Sequence, residues 1–318
     1  MNHHIIITSA GQRVALVRGF QETIHQFFPD GKVFTTDMNP RLAPAAYVSD
    51  DCFSVPRCTS EDYIETLLTL CLENGVGMIV PTIDTELAIL SANKDLFAQH
   101  GIFVSVSDYD FIMMCRDKRN TGVFFEKHGI RVPKAIDKYH PIFPMFAKPY
   151  DGSLSTNLHY IRSAEELTTG ILEDPKLLFM EFIDKEVYKE YTVDMYYGKD
   201  NKVKSIVPRE RIKVRAGEIN KGLTEKEPLT KYLYDRLETI DGCVGCICIQ
   251  LFLNPKTFDV VGIEINPRFG GGYPQTYAAG GNYPELLIRE YYMGEDVQYK
   301  DDWKDHLLML RYDEAVYV

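Results

Sequence analysis

Gln250-Leu-Phe-Leu-Asn-Pro-Lys-Thr-Phe-Asp-Val-Val-Gly-Ile-Glu264-Ile-Asn266-Pro-Arg268-Phe-Gly-Gly-Gly272 decides how the chain is read. Two apolar runs, Gly245 to Leu253 and Val260 to Ile265, flank the turn Asn254-Pro255-Lys256 and form a hairpin. Gln250 and Glu264 fall on its two strands. Asn266 lies two residues beyond Glu264 and shares its face, because side chains alternate along a strand. Ile263 and Ile265 are expected to be the buried alternates. A carboxylate and two amide oxygens on one face are hard ligands of the kind Mg²⁺ takes, leaving room for waters and phosphate. Arg268 reaches the same face with a fork suited to phosphate. An edge hairpin with a solvated face also alternates, but it has no need of three successive glycines.

Moving outward, Phe146-Ala147-Lys148-Pro149-Tyr150-Asp151-Gly152-Ser153-Leu154-Ser155-Thr156-Asn157 places a lysine at the end of an apolar strand, before a small-residue loop. Such a loop lets backbone N–H groups approach an anion, and Lys148 adds a point charge. No Gly-Lys-Ser/Thr follows, so it is not a Walker A loop. Leu178-Phe179-Met180-Glu181-Phe182-Ile183 is an apolar strand ending in a carboxylate and an apolar pair; taken alone, Glu181 reads as an ordinary surface residue. The next strand begins at Glu190-Tyr191-Thr192.

The first hundred residues alternate strands and helices: His4 to Thr8, a helix over Val14 to Phe28, Lys32 to Thr36, a helix over Asp62 to Glu73, then Met78 to Pro81 and Ile102 to Ser105. That order implies parallel pairing with crossover helices. Beyond about residue 108 comes a helix over Asp117 to His128. Leu177 to Phe182, Tyr191 to Tyr197 and Lys202 to Pro208 look like an antiparallel series. The fold class is therefore α/β followed by α+β. At roughly 150 residues per domain, 318 residues allow about two.

Thirty-five basic against 46 acidic residues leave a net charge of −11, which argues against nucleic acid as the main partner. Seven cysteines spread along the chain fit a reducing compartment, with cytoplasm as the default. The pair within Cys243-Val-Gly-Cys246 has no second pair to complete a zinc site and reads as buried strand. No apolar run is long enough to span a membrane. Met1 to His4 has neither basic flank nor cleavage site, so no secretory signal is expected.

Together the three motifs resemble the ATP-grasp superfamily, in particular the ATP-binding modules of the carbamoyl-phosphate synthase large subunit. The resemblance implies a Rossmann-like pre-ATP-grasp domain over 1–108 and a two-lobed ATP-grasp domain over 109–318, its lobes being 109–180 and 181–318. It implies that Lys118 and Lys148 reach the phosphates, and that Gly152 and Ser153 cap them. Glu181 with the backbone of Phe182 and Ile183 would hold adenine, and Glu190 the ribose. Gln250, Glu264 and Asn266 would carry Mg²⁺, with room for two ions and Mn²⁺ as a substitute. Arg268, Arg211 and Lys148 would act on the transferring group, with Arg209 and Arg211 facing the substrate while Lys213 and Arg215 stay solvated. Where the family has a glycine shortly after the adenine strand, this chain reads Asp184-Lys185-Glu186-Val187-Tyr188-Lys189.

The same resemblance implies an ATP-dependent carboxylate–amine ligase working through an acyl phosphate, with Gly152 to Asn157 as a closing loop. Its partners would be a small carboxylate and a small amine, with a homodimer as the default state. The competing reading is an ATP-binding subunit or regulatory module without ligase activity. The chain has one ATP module and no glutaminase, so the synthase's own reaction is not expected. Acceptor contacts are expected from Phe269 to Gly281 and from Asp84, Glu86 and Arg13; Tyr273, Gln275 and Tyr277 read equally well as packing residues.

Overall fold

The computed structural model describes residues 3–151, 157–215 and 217–318. In chain order the first unit holds β1 (His4–Thr8), α1 (Val14–Phe27), β2 (Val33–Asp37), β3 (Asp51–Ser54), α2 (Tyr63–Glu73), β4 (Val76–Pro81), α3 (Asp84–Gln99) and β5 (Phe103–Val104). Its five strands are all parallel in the order β3-β2-β1-β4-β5. Ile5, Ile6 and Ile7 on β1 are all fully buried, because helices cover both faces of a parallel sheet. On α1, Leu16, Val17, Phe20 and Ile24 recur at helical spacing and make the stripe that packs on this sheet.

Then follow α4 (Tyr109–Arg116), α5 (Lys118–Lys127), β6 (Met145–Pro149), β7 (His159–Ile161), α6 (Thr169–Glu173) and β8 (Leu177–Glu181). Strands β6, β7 and β8 form a separate three-stranded antiparallel sheet in the order β7-β6-β8, with a small core of Met145, Ala147, Ile161, Leu177 and Phe179. The sequence grouped Leu177 to Phe182 with the strands after it; β8 instead pairs with β6, since Met145 lies opposite Glu181. Helices α4 and α5 pack on β13, defined below, rather than in this small sheet.

The remainder is β9 (Lys189–Tyr197), β10 (Val203–Arg215), β11 (Glu218–Thr224), α7 (Leu229–Leu237), β12 (Gly245–Leu253), β13 (Val260–Asn266), α8 (Tyr273–Ala279), α9 (Tyr283–Tyr291) and β14 (Leu308–Leu310). Its strands form a six-stranded antiparallel sheet in the order β13-β12-β9-β10-β11-β14. One face carries Val193, Met195, Ile247, Ile249, Leu251 and Ile265 into a core shared with Phe125 of α5 and Leu233 and Leu237 of α7. At one end, the opposite face packs Tyr196, Val207 and Cys246 against α1, α8 and α9. Further along, that face is left to a cleft.

Strand β13 does not alternate as the sequence implied. Val260, and Gly262 pressed against Phe125, share the core side, yet so does Ile265. Parity changes because Gln250 pairs with Glu264 while Leu251 pairs with Gly262, leaving Ile263 as an unpaired bulge residue. Ile263 is only half-buried and lines the cleft, so the expected buried pair reduces to Ile265.

Candidate functional site

A cleft of about 1310 Å³ runs between the three sheets. Its walls are the C-terminal ends of the parallel strands at Thr82 to Thr85 with Arg13, the small sheet at Phe146 and Lys148, and the free face of the six-stranded sheet. Small-molecule pockets commonly enclose ~300–1,000 Å³, so this one has room for a nucleotide and a second ligand.

The bulge at Ile263 turns Glu264 and Asn266 into the cleft. Gln250 stands directly across from Glu264, and Cys248 across from Asn266. Asn266 Nδ2 donates to Glu264 Oε1 at 3.2 Å. Three oxygen-bearing side chains thus share one face of adjacent strands, and this donor set fits a hard cation such as Mg²⁺.

Two lysines converge on the same carboxylate. Lys118 Nζ lies 3.5 Å from Glu264 Oε2, and the Lys118 backbone N–H donates to Tyr150 O at 2.9 Å, tying the start of α5 to the segment after β6. Asp117 caps that helix by accepting from Arg119 N. Lys148 is 8% exposed. Burial pushes its ammonium down to about 8, with Lys118 adding to the shift and Glu264 opposing it. Gly152 and Ser153, and the proposed closing loop apart from Asn157, lie outside the described residues.

At the opposite edge Glu181, Phe182, Ile183 and Glu190 all line the cleft, with Tyr160 stacked on Phe182 at 4.2 Å. The Glu181 carboxylate already accepts from Arg131 Nη1 at 2.8 Å and Lys134 N at 3.0 Å; Arg131 continues to Asp259, which also accepts from Tyr188. The Glu181 backbone N–H also donates to Lys134 O at 2.8 Å, so this residue is fixed to the 131–134 segment from both its side chain and its main chain. Glu190 lies between Arg211 Nε at 2.9 Å and Lys185 Nζ at 2.7 Å.

Arg268 lines the cleft beside Asn266 and is held by Asp84, at the N-terminus of α3. Burial works against its charge, but Asp84 outweighs burial and raises its pKa. Arg209 is fully buried, with Nε donating to Asp194 Oδ2 at 2.9 Å; Thr276 donates to the same oxygen at 2.5 Å. Both terminal nitrogens of Arg209 and the other oxygen of Asp194 find no partner among the described residues. Lys213 and Arg215 are exposed.

Among the expected acceptor contacts, Asp84 and Arg13 line the cleft, whereas Glu86 does not. Glu86 is fully buried and accepts from the hydroxyls of Thr8, Ser9 and Tyr63 and from Thr82 N, so it braces the β1 and β4 ends. Tyr273 and Gln275 are buried, and Tyr277 lies against Gly19 of α1; these three are packing residues. The sequence reading missed the Asp84–Arg268 pair, Lys185 and Glu218. Asp84 had a signal, since it follows the C-terminal end of a central parallel strand, where ligands bind in open α/β sheets.

Residues 173–314 match the family model described as ATP-grasp in the biosynthetic pathway with Ter operon, and residues 5–105 match the PylC-like N-terminal domain. No curated protein matches the sequence. Among solved structures the chain is similar to the biotin carboxylase domain of Hydrogenobacter thermophilus 2-oxoglutarate carboxylase, in complex with ADP, its magnesium salt and bicarbonate. That match has 16% identity over 95% of this chain and 72% of the other, with a TM-score of 0.69. It is also similar to Staphylococcus aureus N5-carboxyaminoimidazole synthetase complexed with ADP, at 15% identity, 94% and 80% coverage and a TM-score of 0.70. Biotin carboxylase from Campylobacter jejuni gives 14% identity, 96% and 74% coverage and a TM-score of 0.70. At these identities the likeness is one of fold. An ATP-grasp family model thus matches residues 173–314, downstream of a match to the PylC-like N-terminal domain in the same chain.

Proposed function

We propose that the protein is an ATP-dependent ligase that joins a carboxylate to an amine through an acyl phosphate, releasing ADP and phosphate. The observation that carries this reading is the convergence of Lys118 and Lys148 on Glu264, with Gln250 opposite it and Asn266 hydrogen-bonded to it. The nucleotide complexes of the similar enzymes support ATP as the nucleotide and Mg²⁺ as the metal. The division near residue 108, into a pre-ATP-grasp unit and two lobes, belongs to the same proposal.

A carboxylate is a poor electrophile, and phosphorylation gives it a leaving group. Its oxygen attacks the γ-phosphorus of ATP, the bond to the β–γ bridging oxygen breaks, and ADP leaves. An amine then attacks the acyl carbon, phosphate departs, and the nitrogen loses a proton. Phosphoryl transfer asks for alignment and charge neutralisation more than covalent help. Lys148 and Lys118 hold the phosphates, and Arg268 and Arg211 offset charge on the moving group. Phe182 and Ile183 offer an apolar edge with backbone groups to a purine, beside Glu190 for the ribose. Bound Mg²⁺ on Glu264, Asn266 and Gln250 would neutralise the phosphate oxygens.

The test is ADP release from Mg-ATP with a panel of amino acids and carboxylates, each paired with amines. Glu264→Gln and Asn266→Ala should each lower turnover by roughly a hundredfold or more with melting temperature nearly unchanged. Full turnover in both variants would remove the assignment. ATP binding with no ADP release on any pair would favour the nucleotide-binding subunit instead.

A further inference from the structure

The cations of the cleft are unevenly answered by acids. Arg268 is forked onto Asp84, Arg211 lies on Glu190, Lys118 faces Glu264 and Arg209 is bound to Asp194. Arg13, on the loop between β1 and α1, lines the same cleft and makes no side-chain hydrogen bond or ion pair among the described residues. Its position along the cleft follows from its neighbours. Lys118 lies on Glu264 with Lys148 within electrostatic reach, Asn266 donates to Glu264, and Asn266 in turn accepts from Arg268. Arg13 comes next, within electrostatic reach of Arg268, Asp84 and Glu218, and neither phosphate lysine is among the charges that act on it.

The nearby acids Glu218 and Asp84 favour its charged form, but each is already engaged by another arginine. Asp84 is engaged by Arg268, and Glu218 by Arg311 Nη1 at 2.7 Å. Burial and the adjacent Arg268 charge both bear on the Arg13 guanidinium and lower its pKa, as expected for a cation awaiting a counter-ion. Gly271 shapes the spot. A Cβ there would come within 3.0 Å of Arg13 Nη1 and 2.1 Å of Glu218 Oε1, so a side chain at this position would displace the Glu218 carboxylate. Next to it, under Gly272, the buried Arg209 presents two terminal nitrogens without partners.

We propose that this end of the cleft binds a carboxylate that takes no part in the reaction, so that one substrate is an amino acid selected through Arg13. One uncompensated guanidinium matches a monoanion, and its planar fork matches the two oxygens of a carboxylate. A phosphate dianion would need a second free cation. The inference rests on the ligase reading, because a molecule that carries a spare carboxylate besides its reacting amine is in its simplest form an amino acid.

The experiment compares glycine and both the L and D forms of the other nineteen amino acids with their α-carboxamides, which keep the shape and remove the charge. Two readouts are taken on the full chain: ADP release with Mg-ATP, and the shift in melting temperature without ATP. At least one amino acid should drive ADP release, with its carboxamide poorer in kcat/KM by roughly ten- to a hundredfold, the factor a charge-assisted hydrogen bond confers. Arg13→Ala should raise KM for that amino acid by a similar factor, leave KM for ATP within about twofold, and erase the preference for acid over amide; Arg13→Lys should restore part of it. Equal use of acid and amide, turnover with dicarboxylates but no amino acid, or an unchanged KM in Arg13→Ala overturns the inference and leaves the ligase reading standing. If no pair releases ADP but amino acids raise the melting temperature of the wild type and not of Arg13→Ala, the ligase reading alone falls. Absence of both signals removes both.

Discussion

Arg268 and Asp84, 184 residues apart in the chain, are joined by a two-pronged contact: Nε and Nη2 donate to the two carboxylate oxygens at 3.1 and 2.9 Å. The pair ties the loop after β13 to the first turn of α3, linking the antiparallel sheet to the parallel unit. Removing charge from one end should therefore disturb the site more than the fold. Asp84→Asn is expected to lower kcat/KM by roughly tenfold, the scale of a lost charge-assisted bond. Arg268→Lys should not substitute for the arginine, because an ammonium cannot span both oxygens. Steady-state kinetics on both variants checks this; wild-type rates in Arg268→Lys would show that the fork is dispensable.

The buried Lys148 gives nucleotide binding a pH signature. With its pKa near 8, the free protein holds Lys148 partly neutral above that pH, whereas phosphate binding needs the charged form. ATP affinity should then fall as pH rises through about 8, by up to about tenfold per unit, with proton uptake on binding. The folded-state value lies below the unfolded value of ~10.4, so the unfolded chain binds more protons between them. Stability without nucleotide should accordingly gain from this group as pH rises from about 8 to roughly 10.4. Calorimetric titration of ATP at several pH values checks the first effect, and Lys148→Arg should flatten it.

Asp194 and Arg209 are both fully buried. Asp194→Ala leaves the guanidinium without its counter-charge and should cost roughly 3–5 kcal/mol, read by urea denaturation. A loss below about 1 kcal/mol would mean that another group compensates Arg209.

Gly262 faces the Phe125 ring, and a Cβ there would lie 2.7 Å from it. Gly262→Ala should overpack this contact and destabilise by about 1–3 kcal/mol. Because the residue adjoins the bulge, ATP affinity should fall with stability; a stable variant with normal affinity would show that α5 can retreat without moving Glu264.

The elements legible in the sequence were those whose burial is uniform or cleanly periodic. β1 is apolar on both faces, α1 carries one stripe, and β12 is an apolar run buried throughout its first half and alternating from Ile249 onward. Helix α3 was not recognised, because Leu87, Leu90 and Phe97 are separated by Ser91, Asn93, Lys94 and Asp95 and give no continuous stripe. Strand β10 extends through Arg215, since its basic half pairs with β11, a strand that itself lacks clear alternation. The candidate metal face was legible from the spacing of Glu264 and Asn266, but the route by which it reaches the cleft was not. Nothing in Gly262-Ile263-Glu264 marks one residue as surplus; only pairing with β12 reveals it. Likewise, Glu181 and Glu190 were recognisable as carboxylates at a strand end and start, whereas their existing partners Arg131 and Arg211 are set by tertiary packing.

That surplus residue makes chain length in β13 a matter of parity. Dropping Ile263 would close the ladder with Gly262 opposite Leu251 and Glu264 opposite Gln250, so the acid and the amide would still face the cleft; dropping Ile265 instead would bring Asn266 opposite Ile249 and onto the core side, an inversion that no side-chain substitution could repair. The loop from Asn254 to Asp259 carries no such constraint, so length changes should be tolerated in this hairpin at its tip and at the unpaired position, and rejected between Glu264 and Asn266, however conservative the residue.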